Sequence, residues 1–466
     1  MREVSTVQRA PGGQQVNEAQ RPPRTRKSTL AIRFCQFFLL AFGIGLAFFG
    51  SQTHLDQTQI PGFLVALAVS WWLTPEIRAR AVRLKLLDKP GEERRIHKVA
   101  VPRLGGVAIY ISIMVAYVLM MAICGRFPRQ GGLLGIAAGG TLIFVMGLLD
   151  DLESLPAKVK LGIQVLAACA AYSLGVRMNE YVPLPGGVSW DFLNSLQFMG
   201  IDVDTKGILH IHQWTMPITI MWLVGIANAV NLIDGMDGLA AGVSLISAIT
   251  IWSVAMAPQL HQPYAAWIAA VLAGALLGFL RWNFNPARIF LGDSGAYLAG
   301  FILGSVAITG VMKTTTAVTV LLPMLILLFP LLDTSWAIIR RMSRGKSIFA
   351  PDAEHIHHKL LNKFGNQKKV AYLIYAFCGL LGLAANWMVG QQNYYLSVCA
   401  AVLILSLFFA EILNRHRRMT RNKQNVNPTL IDDPDEAQDF TPEPEPEIVS
   451  LKKSQAMPLE RPEDKH

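Results

Sequence analysis

The chain has 466 residues, 52% of them hydrophobic and only 16% charged, with a mean hydropathy of +0.37. Soluble domains carry about 25% charged residues, so a soluble enzyme, a secreted module and a disulfide scaffold are excluded together. The net charge of +10 is unevenly placed: residues 431–466 hold 11 acids against 4 Lys/Arg, which leaves the rest of the chain strongly basic.

A spanning helix needs ~20 mostly apolar residues. Runs of about that size predict helices near 28–50, 60–77, 105–124, 132–149, 159–176, 217–230, 238–256, 264–280, 294–312, 317–339, 370–389 and 395–413. The expected fold is therefore an all-α polytopic membrane protein of about twelve transmembrane helices, its catalytic domain spanning residues 28–413. The first run is not a cleaved signal peptide, because its apolar part is too long and no A-x-A site closes it. Residues 1–27 read as a basic, disordered N-terminal tail, and Arg21–Lys27 suits anionic lipid headgroups. Residues 414–466 read as a C-terminal tail, acidic towards its end and disordered. Cys35, Cys124, Cys169, Cys378 and Cys399 show no paired spacing and read as small apolar-run residues.

Orientation follows from the basic residues. With the N-terminus inside, the inner segments carry 32 Lys/Arg and the outer segments 5. Both termini are expected in the cytoplasm. The outer loop at 177–216 is mixed in composition and suggests no role.

The unusual polar residues gather on the inner side, each group at or beside a helix end. Asp150 and Asp151 close an apolar run, and two adjacent carboxylates there are costly without a compensating cation. Lys160 and Gln164, four apart on the next helix, can reach back towards them. Asn228, Asn231, Asp234 and Asp237 repeat every three residues. That places both asparagines on one helix side, with Gly235 and Gly238 turning the backbone to bring the two acids beside them. So many oxygen donors suit Mg²⁺, with Mn²⁺ able to use the same set. Asp293 and Ser294 open the ninth helix, where either is an ordinary N-cap and where phosphate is also attracted. Phe290 is a base-stacking candidate, with packing an equal alternative. His355, His357 and His358 have no Cys and no fourth ligand nearby, so they read as part of an anion site with Arg340, Arg341, Arg344 and Lys346 rather than as zinc ligands. The whole describes a cationic, metal-binding pocket at the cytoplasmic face that moves a phosphoryl group from a soluble nucleotide to a lipid.

Five ordered segments carry a resemblance: DKPGEERRIHKVAVPRLGG, GLLDDLESLPAKVKLGIQ, NAVNLIDGMDGLA, NFNPARIFLGDSG and DAEHIHHKLL. Together they resemble the polyprenyl-phosphate N-acetylhexosamine-1-phosphate transferase family, over about residues 80 to 370. The resemblance implies a Mg²⁺-dependent reaction in a bacterial plasma membrane. Polyprenyl phosphate attacks the β-phosphorus of a UDP-N-acetylhexosamine, UMP leaves, and a cell-envelope polysaccharide is begun. It implies catalytic or metal-assisting roles for Asp150 and Asp151, a metal-ligand role for Asp293 and a polar cluster of Asn228, Asn231, Asp234 and Asp237. It also places Phe290 near uracil and Lys160 near the phosphates. The HIHH form, with Asp352 three residues ahead, is similar to the branch that initiates enterobacterial common antigen and teichoic acid. The phospho-MurNAc-pentapeptide translocase branch carries a three-histidine run there, so a GlcNAc nucleotide is the expected donor. The extra N-terminal helix and the acidic tail depart from the usual layout. Expected partners are the nucleotide sugar, the polyprenyl phosphate, membrane lipids and a second copy of the chain, with no nucleic acid.

Two other classes fit less well. Asp234-Gly-Met-Asp237-Gly238 opens like the motif that moves phospho-alcohols from CDP-lipids, but Gly242 stands where an arginine is required and the downstream aspartates are missing. A transporter would keep its ionisable groups near the bilayer midplane. Here Asp333, late in the tenth run, is the one deep acid.

Overall fold

The computed structural model describes residues 33, 36–46, 58–88, 101–124, 132–183, 202–203, 208–311, 317–344 and 355–390. The expectations for both tails, for Cys35 and Cys399, for Lys346 and Asp352, for most of the first motif and for the twelfth apolar run lie outside these residues. Each of the other eleven runs meets a helix: α1 (Gln36–Leu46), α2 (Gln59–Arg83), α3 (Gly105–Cys124), α4 (Leu133–Leu152), α5 (Ala157–Ser173), α6 (Thr215–Leu232), α7 (Leu239–Ala255), α8 (Pro263–Asn283), α9 (Gly292–Gly310), α10 (Ala317–Ile326), α11 (Leu328–Ser343) and α13 (Gln367–Met388). Six of these, α2, α3, α4, α6, α8 and α13, are long and apolar enough to cross a membrane. The protein is an all-α polytopic membrane protein.

Helix α8 lies at the centre: 83% of its apolar span is buried, against 39–50% for the other five. Lipid tails are as apolar as leucine, so helices in a bilayer associate through close packing and interhelical hydrogen bonds. The α2–α8 contact follows this rule. Gly274 and Gly278 form a GxxxG step, and a Cβ on Gly278 would stand 2.6 Å from the Leu67 carbonyl oxygen and 2.8 Å from the Trp71 nitrogen. At the same crossing Ser70 Oγ donates to the Ala275 carbonyl at 2.7 Å.

The tenth run departs from the expected single helix. It breaks at Leu327 into α10 and α11, and proline is the reason. Pro330 has no N–H for the Ile326 carbonyl, and the buried Ser247 Oγ donates to that oxygen instead, at 3.4 Å. Helix α12 (Ile356–Phe364) was not expected, because nine polar-faced residues carry no apolar run. Its end is set by Gly365, with φ +62°, and the next helix is capped by Asn366, which accepts the Lys368 N–H at 3.0 Å.

Short strands occupy the connections. β1 (Leu87–Asp88) pairs antiparallel with β2 (Val101–Pro102) just before α3. β3 (Tyr181–Pro183), β4 (Asp202–Val203) and β5 (Ile208–His210) form a three-stranded sheet, ordered β3-β5-β4, in the loop that suggested no role.

Candidate active site

Four helix ends converge: the C-terminal ends of α4 and α6 and the N-terminal ends of α5 and α9. Asp150, in the last turn of α4, has a side chain only 3% exposed, and the chain itself satisfies it. Its Oδ1 accepts the Leu155 N–H at 2.7 Å, and its Oδ2 takes Lys160 Nζ at 2.6 Å. The same ammonium stands 3.8 Å from Asp293 Oδ2. Lys160 therefore bridges two carboxylates on different helices, one buried and one, Asp293, 37% exposed.

The cap of α9 differs from expectation. Neither Asp293 nor Ser294 caps it. Asp151 does so from α4, accepting Asp293 N at 2.7 Å, Ser294 N at 3.0 Å and Ser294 Oγ at 2.5 Å. Two of the N–H groups that would attract phosphate at this helix start are thus taken by a carboxylate of the protein. Gly292 makes the approach possible: its φ is +74°, and a Cβ would stand 2.7 Å from Asp151 Oδ2.

The four residues of the Asn/Asp repeat diverge. Asn228 and Asn231 both lie in α6, as expected. Asn231 Nδ2 donates to Asp293 Oδ1 at 2.8 Å, whereas Asn228 Nδ2 donates to Gln164 Oε1 at 2.7 Å. Of the α5 pair, Lys160 reaches the aspartates and Gln164 reaches Asn228. Asp237 faces the α8–α9 connection, where its Oδ2 accepts Asn285 Nδ2 and Ala287 N, each at 2.9 Å. Asn285 in turn donates to Gln367 Oε1 at 2.7 Å. Gly238 turns the backbone with φ +75°, as expected, but Gly235 serves to make room for a histidine ring.

Asp234 lies in the turn between α6 and α7. Burial first, and then the charges of Asp293 and Asp151, push its carboxyl up to about 8; Arg103 opposes the rise. Carboxylates this crowded lack a full complement of positive charge.

Phe290 is held through its backbone. Its N–H donates to the Pro102 carbonyl at 2.8 Å and its carbonyl accepts the Gly105 N–H at 3.0 Å, which ties the start of α3 to the connection before α9. Arg341 is buried on the same face of α11 as Asp333, Ala337 and Arg340. His355 and His357 are buried and His358 half-buried, with the His357 ring 4.4 Å from that of His358.

Among the described residues, no three His, Cys, Asp or Glu side chains form a ready-made metal cage. Mg²⁺ does not need one: it is commonly held by one or two carboxylates, with waters and substrate phosphates completing the octahedron. The half-open Asp293, with Asp234 crowded beside it, fits that requirement.

Sequence reasoning missed four partners. Ser294 and Asn285 had only local signals, Arg103 acts through charge, and Asp333 stood out only as a deep acid.

Residues 133–311 match the sequence model of glycosyl transferase family 4. Over 363 residues the chain is 33% identical to the probable undecaprenyl-phosphate N-acetylglucosaminyl 1-phosphate transferase of Bacillus subtilis (strain 168), covering 77% of this chain and 93% of that protein. The chain belongs to glycosyl transferase family 4. It is similar to the decaprenyl-phosphate N-acetylglucosaminephosphotransferase of Mycobacterium leprae (strain TN), at 33% identity over 76% of this chain and 90% of the relative. Against the undecaprenyl-phosphate alpha-N-acetylglucosaminyl 1-phosphate transferase of Escherichia coli (strain K12) the identity is 25%, over 76% and 93%. This glycosyl transferase family 4 member is a phosphotransferase embedded in a membrane, and the five-motif resemblance is borne out.

Proposed function

We propose that this chain transfers N-acetylglucosamine 1-phosphate from UDP-N-acetylglucosamine to undecaprenyl (polyprenyl) phosphate, releasing UMP and beginning a cell-envelope polysaccharide. The site and both termini face the cytoplasm of a bacterial inner membrane. The relatives' names support the lipid and the sugar phosphate; the basic bias of the inner segments supports the orientation. The observation that carries the chemistry is the Lys160 bridge, 2.6 Å from Asp150 and 3.8 Å from Asp293.

In the reaction an oxygen of the lipid phosphate bonds to the β-phosphorus, and the bond from that phosphorus to the bridging oxygen breaks, the electron pair leaving with UMP. Catalysis of such a step is mostly positioning and charge stabilisation. Asp150 keeps Lys160 aimed into the site, where the ammonium meets phosphoryl oxygens. Asp151 fixes the first turn of α9 and with it Asp293, which Asn231 orients. Asp237 holds the connection that carries Phe290, the residue assigned to uracil. Asn228 steadies α6 against α5 through Gln164. Arg341, His355, His357 and His358 supply the anion-facing side. Mg²⁺ is assigned to Asp293, with Asp234 and Asp151 beside it, and when bound it neutralises charge on the phosphates.

A donor labelled with ³²P at the β position tests the reading. With purified protein, polyprenyl phosphate and Mg²⁺, label must enter the lipid fraction and UMP must be released. Label leaving as UDP would show sugar transfer without phosphate, and release of UMP only from a MurNAc-pentapeptide nucleotide would move the chain to the translocase branch.

A further inference from the structure

Asp333 is a buried acid that the proposed reaction leaves unused. It lies inside α11, with its side chain 1% exposed, where an ionisable group is expensive unless it is matched by donors. Two groups hydrogen-bond it and a second imidazole stands close. Oδ1 accepts the Ile356 N–H at 2.7 Å. Oδ2 is hydrogen-bonded to His355 Nδ1 at 3.1 Å, and His357 Nδ1, which makes no hydrogen bond, stands 3.5 Å from it. The two imidazoles lie nearly parallel, with centroids 5.5 Å apart and an interplanar angle of 15°.

On its far side, His357 meets the site. The residue is fully buried, and a Cβ on Gly235 would stand 2.5 Å from His357 Nε2. Gly235 follows Asp234 in the turn that also carries Asp237. Contacts thus run from Asp333 through His357 to Gly235, tying α11, the second half of the broken tenth run, to the acidic turn.

A carboxylate can only accept, and a neutral imidazole has one donor and one acceptor nitrogen. The nitrogen that meets the carboxylate must carry the proton, which leaves Nε2 as the one turned towards the turn. Carboxylates orient metal-ligating histidines in this way, and losing one there typically costs 10–100-fold in activity or metal affinity.

We propose that Asp333 is a positioning residue: it holds His355 by Nδ1, biases His357 to the same tautomer across the 3.5 Å contact, and seats α12 against the turn at Gly235. Its kinetic consequence rests on the proposed transferase reading; its structural consequence does not.

The test has two arms, both on the full-length protein in lipid nanodiscs. Asp333→Asn keeps the shape and an acceptor for the Ile356 N–H but removes the charge. NMR of ¹⁵N-histidine, assigned by single His→Gln variants, should show Nδ1 protonated in His355 and His357 of the wild type, and Nε2-protonated signals gaining in Asp333→Asn. Wild-type signals that are Nε2-protonated, or signals that do not change in the variant, overturn the proposal. Should Asp333→Asn fail to insert, Gly235→Ala probes the same seat from the other side. It must move the His357 signals and leave those of His210 and His212 in place; an unmoved His357 overturns the contact.

In the kinetic arm, Asp333→Asn should lower kcat by about 10–100-fold with the KM for lipid unchanged. In a His355→Gln/His357→Gln background it should cost nothing more, whereas a merely structural role would add its full loss. The NMR arm needs no substrate. A wrong donor assignment would therefore silence the kinetics and leave the tautomer result standing.

Discussion

Two carboxylate centres in this molecule solve the same electrostatic problem in opposite ways. Around Asp333 the matching is internal: His355 Nδ1 and the Ile356 N–H bond an acid 1% exposed, and His357 Nδ1 stands 3.5 Å away. Around Asp293 the matching is left incomplete. Asn231 serves Oδ1, Lys160 stays 3.8 Å from Oδ2, and the carboxylate is 37% exposed with Asp234 and Asp151 close by. A carboxylate matched from within can hold parts together and presents no charge of its own to a substrate. An unsaturated one carries surplus negative charge that a cation and its phosphate cargo can complete. The contrast separates the residues that build this site from those that work in it.

The sharpest way to break the contrast is at Asp293. If the open carboxylate holds the metal, Asp293→Asn should lower turnover by at least about 10³-fold, about 4 kcal/mol of lost transition-state stabilisation, in protein that inserts and purifies normally. Near wild-type activity at ordinary Mg²⁺ would end the assignment. Next comes Lys160→Met, which removes the bridge and should cost about 10²-fold in kcat. It also strands the buried Asp150 charge, so thermal unfolding should fall by an amount of order 3 kcal/mol. Adding Asp150→Asn should recover the stability and not the rate. If the double variant regains activity, Lys160 is a structural partner alone.

Smaller effects sharpen the division further. Asp151→Ala removes the cap of α9, and about 1–2 kcal/mol of stability should go with it, read as a lower unfolding temperature in detergent. No loss would mean that the helix start does not depend on α4. Smallest is a proton linkage at Asp234. An acid held near pH 8 is mostly protonated at pH 7, so its stabilising effect is full below about pH 4 and is lost as pH rises towards 8. A cation entering beside it must displace a proton. Calorimetric Mg²⁺ titrations at pH 7 in two buffers of different ionisation enthalpy should then differ by a fraction of a proton per ion. Identical heats would show that Asp234 takes no part.

The membrane character and the helix positions were legible in the sequence, because a bilayer demands ~20 apolar residues per crossing and leaves polar residues few places to go. The placing of chemistry at helix ends followed for the same reason, and ordered motifs then pointed to the family. What the sequence could not assign was the partner of each polar group. Asp150 and Asp151 are neighbours, yet successive residues on a helix project about 100° apart, so one turns to Lys160 and the other to the first turn of α9. Asn228 and Asn231 share a face and still meet different helices. Asp333 and the histidines lie 22 and 24 residues apart, across a polar segment with no periodicity linking them. Periodicity fixes which side of a helix a residue takes. Which helix stands opposite is decided by packing, by the glycines that let backbones close and by the prolines that open them, and that exists only in the assembled bundle.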